Sequence, residues 1–77
     1  MSDTHNLNTV GLLCPLPVIR TQDAIRKLQP GDCLMVTASD PGTQQDIPSW
    51  CNVHHHELIE SWREGDRFFF RIIVRGD

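Results

Sequence analysis

The sequence has no long apolar run and no excess of positive charge. None of its hydrophobic stretches approaches the roughly 20 residues that a membrane-spanning helix needs. The polar start MSDTHNLN lacks the charged-then-apolar order of a secretory signal peptide. The formal net charge of -3 argues against a dedicated nucleic-acid binder, because phosphates attract positively charged surfaces. We expect a cytoplasmic protein with no direct nucleic-acid or membrane partner.

Cysteine is also scarce. The three cysteines, Cys14, Cys33 and Cys51, form no CxxC element and show no repeated spacing, and three cannot all pair within one chain. Free thiols in a reducing compartment therefore fit better than a disulfide scaffold. With 77 residues the chain can bury one small core, so we expect a single domain over residues 1–77, with residues 1–5 frayed.

Hydrophobic periodicity predicts the first four elements of the fold. A short strand over residues 7–10 precedes a helix that opens at Pro15, since proline suits the first helical position. Residues 33–39 alternate between apolar and polar as a strand does. A second helix follows with Thr43 as its N-cap, and it becomes regular near Ile47.

The last third of the chain predicts a β-hairpin over residues 57–64 and 67–75, joined by a type II′ turn at Gly65-Asp66. Ile59 belongs to its core face. Counting outward from the turn predicts the cross-strand pairs on the other face: Glu64 with Arg67, Trp62 with Phe69, Glu60 with Arg71 and Leu58 with Ile73. The order β-α-β-α-β-β predicts an α/β (α+β) two-layer sandwich, with two helices on one face of a four-stranded mixed sheet.

The solvent face of this hairpin admits two interpretations. Arginines interleaved with Phe69 could form a nucleic-acid platform of basic and aromatic side chains. Two of those arginines, Arg67 and Arg71, have a glutamate opposite them on the neighbouring strand. Such cross-strand charge pairs stabilise an ordinary solvated sheet face. We favour the solvated face.

Cys14 stands directly before the proline that is predicted to open the first helix. Its sulfur would lie at the positive end of the helix dipole, near amides without intrahelical acceptors, chiefly those of Leu16 and Val18. Such a position lowers the pKa of a cysteine below about 8.5 and favours the nucleophilic thiolate. The alternative is a small apolar filler, the commoner role of free cysteine. Pro15 and Pro17 make the turn rigid, which favours a reactive thiol.

Short motifs occur in order from about Leu7 to the C-terminus. They are Gly11-Leu12, Cys14-Pro15-Leu16-Pro17-Val18, Gly31, Asp40-Pro41, Asp46-Ile47-Pro48, Cys51 and His56-Glu57-Leu58. Together they resemble the TusA family of small bacterial sulfur carriers, also called SirA-like or YhhP-like. The resemblance implies a βαβαββ fold and a cysteine that carries sulfane sulfur as a persulfide, which by position is Cys14.

The resemblance also implies a mechanism and partners. A sulfurtransferase-like carrier of this kind acts as one member of a relay. A cysteine desulfurase or rhodanese-like donor supplies the sulfur, and a DsrE-like acceptor receives it. In the relay best associated with the family, the sulfur ends as the 2-thio group of a wobble uridine in tRNA, and other members serve sulfur oxidation or molybdenum-cofactor supply. No metal or organic cofactor is implied for the transfer.

We expect the partner-binding surface to surround Cys14. Leu16 and Ile19 should face outward from the first turns of the helix, and an apolar pair beside a reactive thiol is hard to explain by solvation alone. Asp40 ends the second strand, and a β-α-β arrangement can bring it near that helix start.

The chain departs from the common family pattern at several positions. Leu13 stands where a basic residue often precedes the cysteine, and Leu16 stands where an acidic or polar residue is common. His55 replaces a glycine at the expected helix C-terminus and is less suited to a left-handed cap. Asn8 replaces an aspartate. These differences leave the tRNA branch of the relay open.

Two further sites and one further function deserve comparison. Cys51 and the histidines at 54–56 have the spacing of half a zinc site, with His5 as a conceivable extra ligand. Cys51 and His54 fall on the apolar helix face with Trp50, which favours packing. The spacing supports no redox pair between Cys14 and another cysteine. A non-catalytic regulatory or protein-interaction module of the SirA-like type stays open as the alternative function.

Overall fold

The computed structural model describes residues 4–75 of the chain. Its elements in order are β1 (Thr4–Thr9), α1 (Leu16–Arg26), β2 (Cys33–Ala38), α2 (Thr43–Val53), β3 (Glu57–Glu64) and β4 (Arg67–Ile73). This order confirms the predicted β-α-β-α-β-β arrangement. Within the described residues, no helix has the length and apolar character needed to cross a membrane.

The four strands form one mixed sheet in the order β1-β2-β4-β3. β1 and β2 are parallel and are connected through α1, because parallel neighbours need a crossover. β4 pairs antiparallel with both β2 and β3. This topology places the ends of β1 and β2, and therefore the loops that follow them, beside each other.

One hydrophobic core lies between the sheet and the two helices. Alternate residues of β2 and β4 point into it, including Leu34, Val36 and Phe70, and Ile25 of α1 and Ile47 of α2 cover them. Burying one such aliphatic or aromatic side chain contributes about 1.5–3 kcal/mol. Neither of the two helices in residues 4–75 covers the opposite side of the sheet, so the protein is the predicted two-layer sandwich.

β1 begins earlier than expected. Thr4 and His5 pair with Cys33 and Leu34 of β2, so the prediction that they are frayed is wrong. The parallel partner strand supplies backbone hydrogen bonds that the short polar segment could not form alone. Residues 1–3, also predicted to be frayed, lie outside the described residues.

α2 begins at Thr43 rather than near Ile47, and Gly42 rather than Thr43 occupies the N-cap. Pro48 lies inside the helix and lacks only its own amide. The amides of Gln45 and Asp46 still donate to the carbonyl of Gly42, at 3.2 and 3.0 Å, so the first turn forms despite the proline.

The hairpin register is confirmed near the turn and is wrong beyond it. Gly65 has a φ of 62°, as a II′ turn requires at its first position, and the three pairs next to the turn match the predicted ones. A β-bulge at Ile59 then shifts the register, so Leu58 pairs with Ile72 instead of Ile73. One extra residue reverses which side chains face the core. Leu58 therefore packs on the core, whereas Ile59 is 46% exposed.

The charge pairs on the open face follow the prediction in part. Arg71 lies 3.2 Å from Glu60, as expected. Arg67 instead lies 3.2 Å from its neighbour Asp66, and the Glu64 carboxylate accepts a hydrogen bond from the Trp62 indole at 2.8 Å.

Candidate functional site

Cys14 lies in the loop between β1 and α1, and its thiol is exposed. Its backbone amide donates a hydrogen bond to Oδ2 of Asp40 at 2.7 Å. Its Sγ donates to Oδ2 of Asp46 at 2.6 Å. The peptide bond between Cys14 and Pro15 is cis. Asp40, from the connection between β2 and α2, therefore holds this cysteine by its backbone, and Asp46, from the first turn of α2, holds it by its sulfur.

Asp40 organises the connection from β2 to α2 as well as the cysteine loop. Its second carboxylate oxygen accepts from the amide of Gly42 at 3.3 Å. Its carbonyl accepts from the amide of Thr43 at 3.0 Å and from the hydroxyl of the same residue at 2.7 Å. Asp40 thus ties the Cys14 loop to the first turn of α2, as the β-α-β argument expects.

The surroundings of Cys14 raise the pKa of its thiol, so the predicted lowering is wrong. The hydrogen bond to Asp46 is the largest cause, followed by desolvation and by the negative charges of Asp46 and Asp40. The opposing helix end acts weakly here. α1 begins at Leu16 with Pro15 as its N-cap, and the amide of Leu16 donates to the carbonyl of Leu13 at 2.8 Å instead of facing the sulfur. The two nearby carboxylates therefore raise the pKa of the thiol more than the helix end lowers it, because the amides of that end are partly occupied.

The side chains that flank Cys14 are apolar and exposed. Leu16 is 41% and Ile19 45% exposed on the first turns of α1, where the sequence placed them. Leu13 is 70% exposed on the other side of the cysteine. An exposed thiol among protruding apolar side chains is suited to contact another protein rather than to enclose a small molecule.

Asp46 is the site residue that the sequence did not reveal. It is 32 positions away from Cys14 along the chain. In the sequence it stands out only as the first residue of the motif Asp46-Ile47-Pro48. The signal that could have revealed Asp46 is its place in the first turn of α2. Each helix follows one of two neighbouring parallel strands, so the starts of the two helices lie close together.

The other two cysteines have different surroundings. Cys51 lies in the core, and burial raises its pKa to about 11, so it is a neutral thiol at physiological pH. Cys33 is half-buried in β2. Neither is joined to Cys14 by a disulfide.

The histidines near the end of α2 pack against an aromatic ring. Trp50 lies with its ring centroid 4.8 Å from that of His54 and 5.2 Å from that of His56. Cys51 points into the core, and His5 lies on β1 with its Nε2 3.7 Å from Asp32. Within residues 4–75, no three His, Cys, Asp or Glu side chains are grouped so that they could hold a metal ion.

A cleft of about 620 Å³ lies at the C-terminal ends of both helices. Leu28, Trp50, His54 and Val74 are among its lining residues, and Cys14 is not. Cys14 therefore lies at the opposite ends of the helices from this cleft.

Comparison with known proteins identifies the family. The family model described as sulfurtransferase TusA matches residues 5–75. The chain belongs to the TusA family. The crystal structure of a SirA-like protein from Desulfitobacterium hafniense superposes with a TM-score of 0.81 at 19% sequence identity, over 92% of this chain and 97% of that one. At this identity the match shows that the two proteins share the fold.

Membership of the TusA family makes the protein a sulfurtransferase of the sulfur-carrier type, which takes part in a relay with donor and acceptor proteins. The TusA chemistry requires an accessible sulfur atom. In the described structure the exposed cysteine is Cys14, at the start of α1.

Proposed function

We propose that Cys14 carries sulfane sulfur as a persulfide, which it takes from a desulfurase or rhodanese-like donor and passes to an acceptor protein. The observation that supports this assignment is the contrast among the three cysteines. Cys14 is exposed, Cys33 is half-buried in a strand, and Cys51 is buried in the core. A sulfur atom can pass between two proteins only where both sulfurs come within bonding distance.

The proposed transfer is a thiol exchange in two steps. Sγ of Cys14 attacks the outer sulfur of the donor persulfide, a new S–S bond forms, and the bond between the two donor sulfurs breaks. The donor leaves with a free thiol, and Cys14 holds the persulfide. An acceptor thiol then attacks the outer sulfur of Cys14 in the same way. The sulfane sulfur moves without net oxidation, so the step needs no metal or organic cofactor.

The proposed partner surface consists of Leu16, Ile19 and Asp40. The two apolar side chains project beside the thiol, and Asp40 holds the cysteine loop through the Cys14 amide. Such a protruding surface can enter the active site of a larger protein. The proposed acceptor is DsrE-like, and the proposed product is tRNA 2-thiouridine or another product of cytoplasmic sulfur metabolism.

Intact-mass measurement after incubation with a cysteine desulfurase and cysteine tests this function. The wild-type protein should gain the mass of one sulfur atom, and a thiol reductant should remove it. Cys14→Ser should gain none, because its hydroxyl cannot form a persulfide, and the fold should persist since serine is nearly isosteric. Cys33→Ser is the matched control and should load as the wild type does. Loading of Cys14→Ser to the wild-type level would overturn the assignment.

A protein-interaction module is the second candidate function. The observation in its favour is the open sheet face, where the rings of Trp62 and Phe69 stack at 5.1 Å and Arg71 lies 5.9 Å from the Trp62 ring centroid. A regulator of this kind would gain no sulfur in the mass experiment and would lose its partner on Trp62→Ala.

A further inference from the structure

Among residues 4–75, the charged groups that contact Cys14 are acidic. Its Sγ lies 2.6 Å from Oδ2 of Asp46, and the Asp40 carboxylate binds the amide of the same residue. No ion pair within residues 4–75 includes Asp40 or Asp46. The negative charge at Asp46 is therefore not paired with a cation in the part of the chain that the structure describes.

The elements around the sulfur supply no compensating charge. The loop from β1 to α1 carries Val10, Gly11, Leu12 and Leu13 before the cysteine, and the first turn of α1 contains no acidic or basic side chain. The first basic residue of α1 is Arg20, which is exposed and forms no ion pair among residues 4–75. Within the described part of the chain, the charged groups that act on the thiol are thus the two aspartates.

We propose that Asp46 is a positioning and specificity-determining residue: it holds Cys14 as a protonated thiol in the free carrier and favours reaction with partners that bring positive charge to the sulfur. This inference rests on the proposed carrier function of Cys14. A thiol is a much weaker nucleophile than a thiolate, so the free carrier resists chance electrophiles. A cation placed beside Asp46 by a partner stabilises the thiolate and makes Cys14 reactive at the moment of docking.

The proton balance of the transfer fits this role. The Cys14 proton leaves Sγ as that atom bonds to the outer sulfur of the donor persulfide. The donor cysteine released in the same step departs as a thiolate and takes up one proton. Asp46 therefore needs only to orient and retain the proton until docking, and it is unchanged at the end.

Alkylation of the free protein by iodoacetamide as a function of pH tests the role of Asp46, with Cys14 followed by peptide mapping. In Asp46→Asn the rise of the alkylation rate with pH should occur at a lower pH than in the wild type. The variant loses the carboxylate that accepts the thiol hydrogen bond, and it loses the negative charge that repels the thiolate. Asp40→Asn should shift the profile in the same direction but less. Asp23→Asn is the matched control, since Asp23 is an exposed acid farther along α1 that faces Arg26 at 3.8 Å, and its profile should match the wild type.

Charged reagents test the specificity. A cationic methanethiosulfonate should modify wild-type Cys14 faster than its anionic counterpart, by about tenfold at low ionic strength. The ratio should fall in Asp46→Asn and should also fall at high salt, which screens exposed charges. The same ratio for a small free thiol gives the intrinsic preference of a thiolate, and the wild-type ratio should exceed it. This comparison requires no variant, so it remains informative even where a substitution disturbs the fold. Circular dichroism checks each variant.

Coincident alkylation profiles of wild type and Asp46→Asn, or a ratio of the two charged reagents no greater at Cys14 than at a small free thiol, would overturn the inference. Neither experiment uses a sulfur donor. Failure of Asp46 to control the thiol is thus distinguishable from failure of Cys14 to load sulfur, which the mass experiment measures separately.

Discussion

The backbone amide of Arg75 donates a hydrogen bond to Nδ1 of His56 at 3.1 Å. This bond joins the connection between α2 and β3 to the chain segment just after β4. It requires Nδ1 to be unprotonated, so the proton of the neutral ring is on Nε2. Partial burial is the main reason why the pKa of His56 is lowered from its ordinary 6.5, and the neighbouring His54 and His55 lower it further.

Stability should therefore fall on mild acidification. Because the folded-state pKa of His56 lies below its unfolded value, the unfolded chain binds more protons between those two pKa values. The contribution of the neutral ring is present above about pH 6.5 and is lost as the pH falls through the folded pKa. Urea denaturation from pH 7.5 downward should show this loss. His56→Asn keeps an acceptor oxygen, and its stability should depend less on pH than that of the wild type. A pH dependence equal to that of the wild type would show that His56 is not its cause.

Replacement of His55 by glycine should stabilise the protein. His55 has a φ of 62°, in the left-handed region, at the residue after the C-cap of α2. The amide of His56 donates to the carbonyl of Cys51 at 2.9 Å, and that of His55 to Asn52 at 3.4 Å, which is a Schellman motif. Glycine adopts this conformation without the steric cost of a Cβ, so His55→Gly should gain about 1 kcal/mol in denaturant unfolding.

The matched control for that substitution lies inside the same helix. Asn52→Gly introduces glycine where φ is helical and should lower stability by about 0.3 kcal/mol, the difference between the helix propensities of asparagine and glycine. A loss of stability in His55→Gly as well would show that the imidazole at position 55 contributes more than its backbone strain costs.

Leu16→Glu should slow transfer from donor to carrier by about fivefold, the effect of about 1 kcal/mol of lost interface binding. The side chain is 41% exposed and lies outside the hydrophobic core, so the free energy of unfolding should change by less than about 0.5 kcal/mol. Single-turnover transfer with purified donor measures the rate. Ile59→Glu is the matched control, because Ile59 is equally apolar and similarly exposed but lies on the bulge of β3. Slowing by the control alone would place the docking surface on the sheet.

Cys51→Ala should act through stability and not through sulfur loading. The thiol is 2% exposed within the core, so its loss should cost on the order of 1 kcal/mol. Cys33→Ala should cost less, since that residue is half-buried. Thermal unfolding and intact mass should be measured on the same samples. Loss of sulfur loading in either variant while it remains folded would exclude a mechanism that needs Cys14 alone.

The element order and the core could be predicted from the sequence because their signals are local. The alternation of Leu34, Val36 and Ala38 sets the buried face of β2 within a few residues, and Gly65 sets the hairpin turn. The motif around Cys14 likewise indicated its family and its place before a helix. Each of these features depends on neighbours along the chain.

Only the tertiary structure decided the chemistry around the thiol. The local sequence puts Cys14 at a helix end and by itself predicts a lowered pKa, but Asp40 and Asp46 approach the cysteine from 26 and 32 positions away. The bulge at Ile59 was equally invisible, because a strand pattern does not show where an extra residue interrupts the pairing. Periodicity and helix dipoles act over a few residues, whereas the parallel pairing of β1 with β2 brings the two helix starts together and gives the sulfur its acidic neighbours.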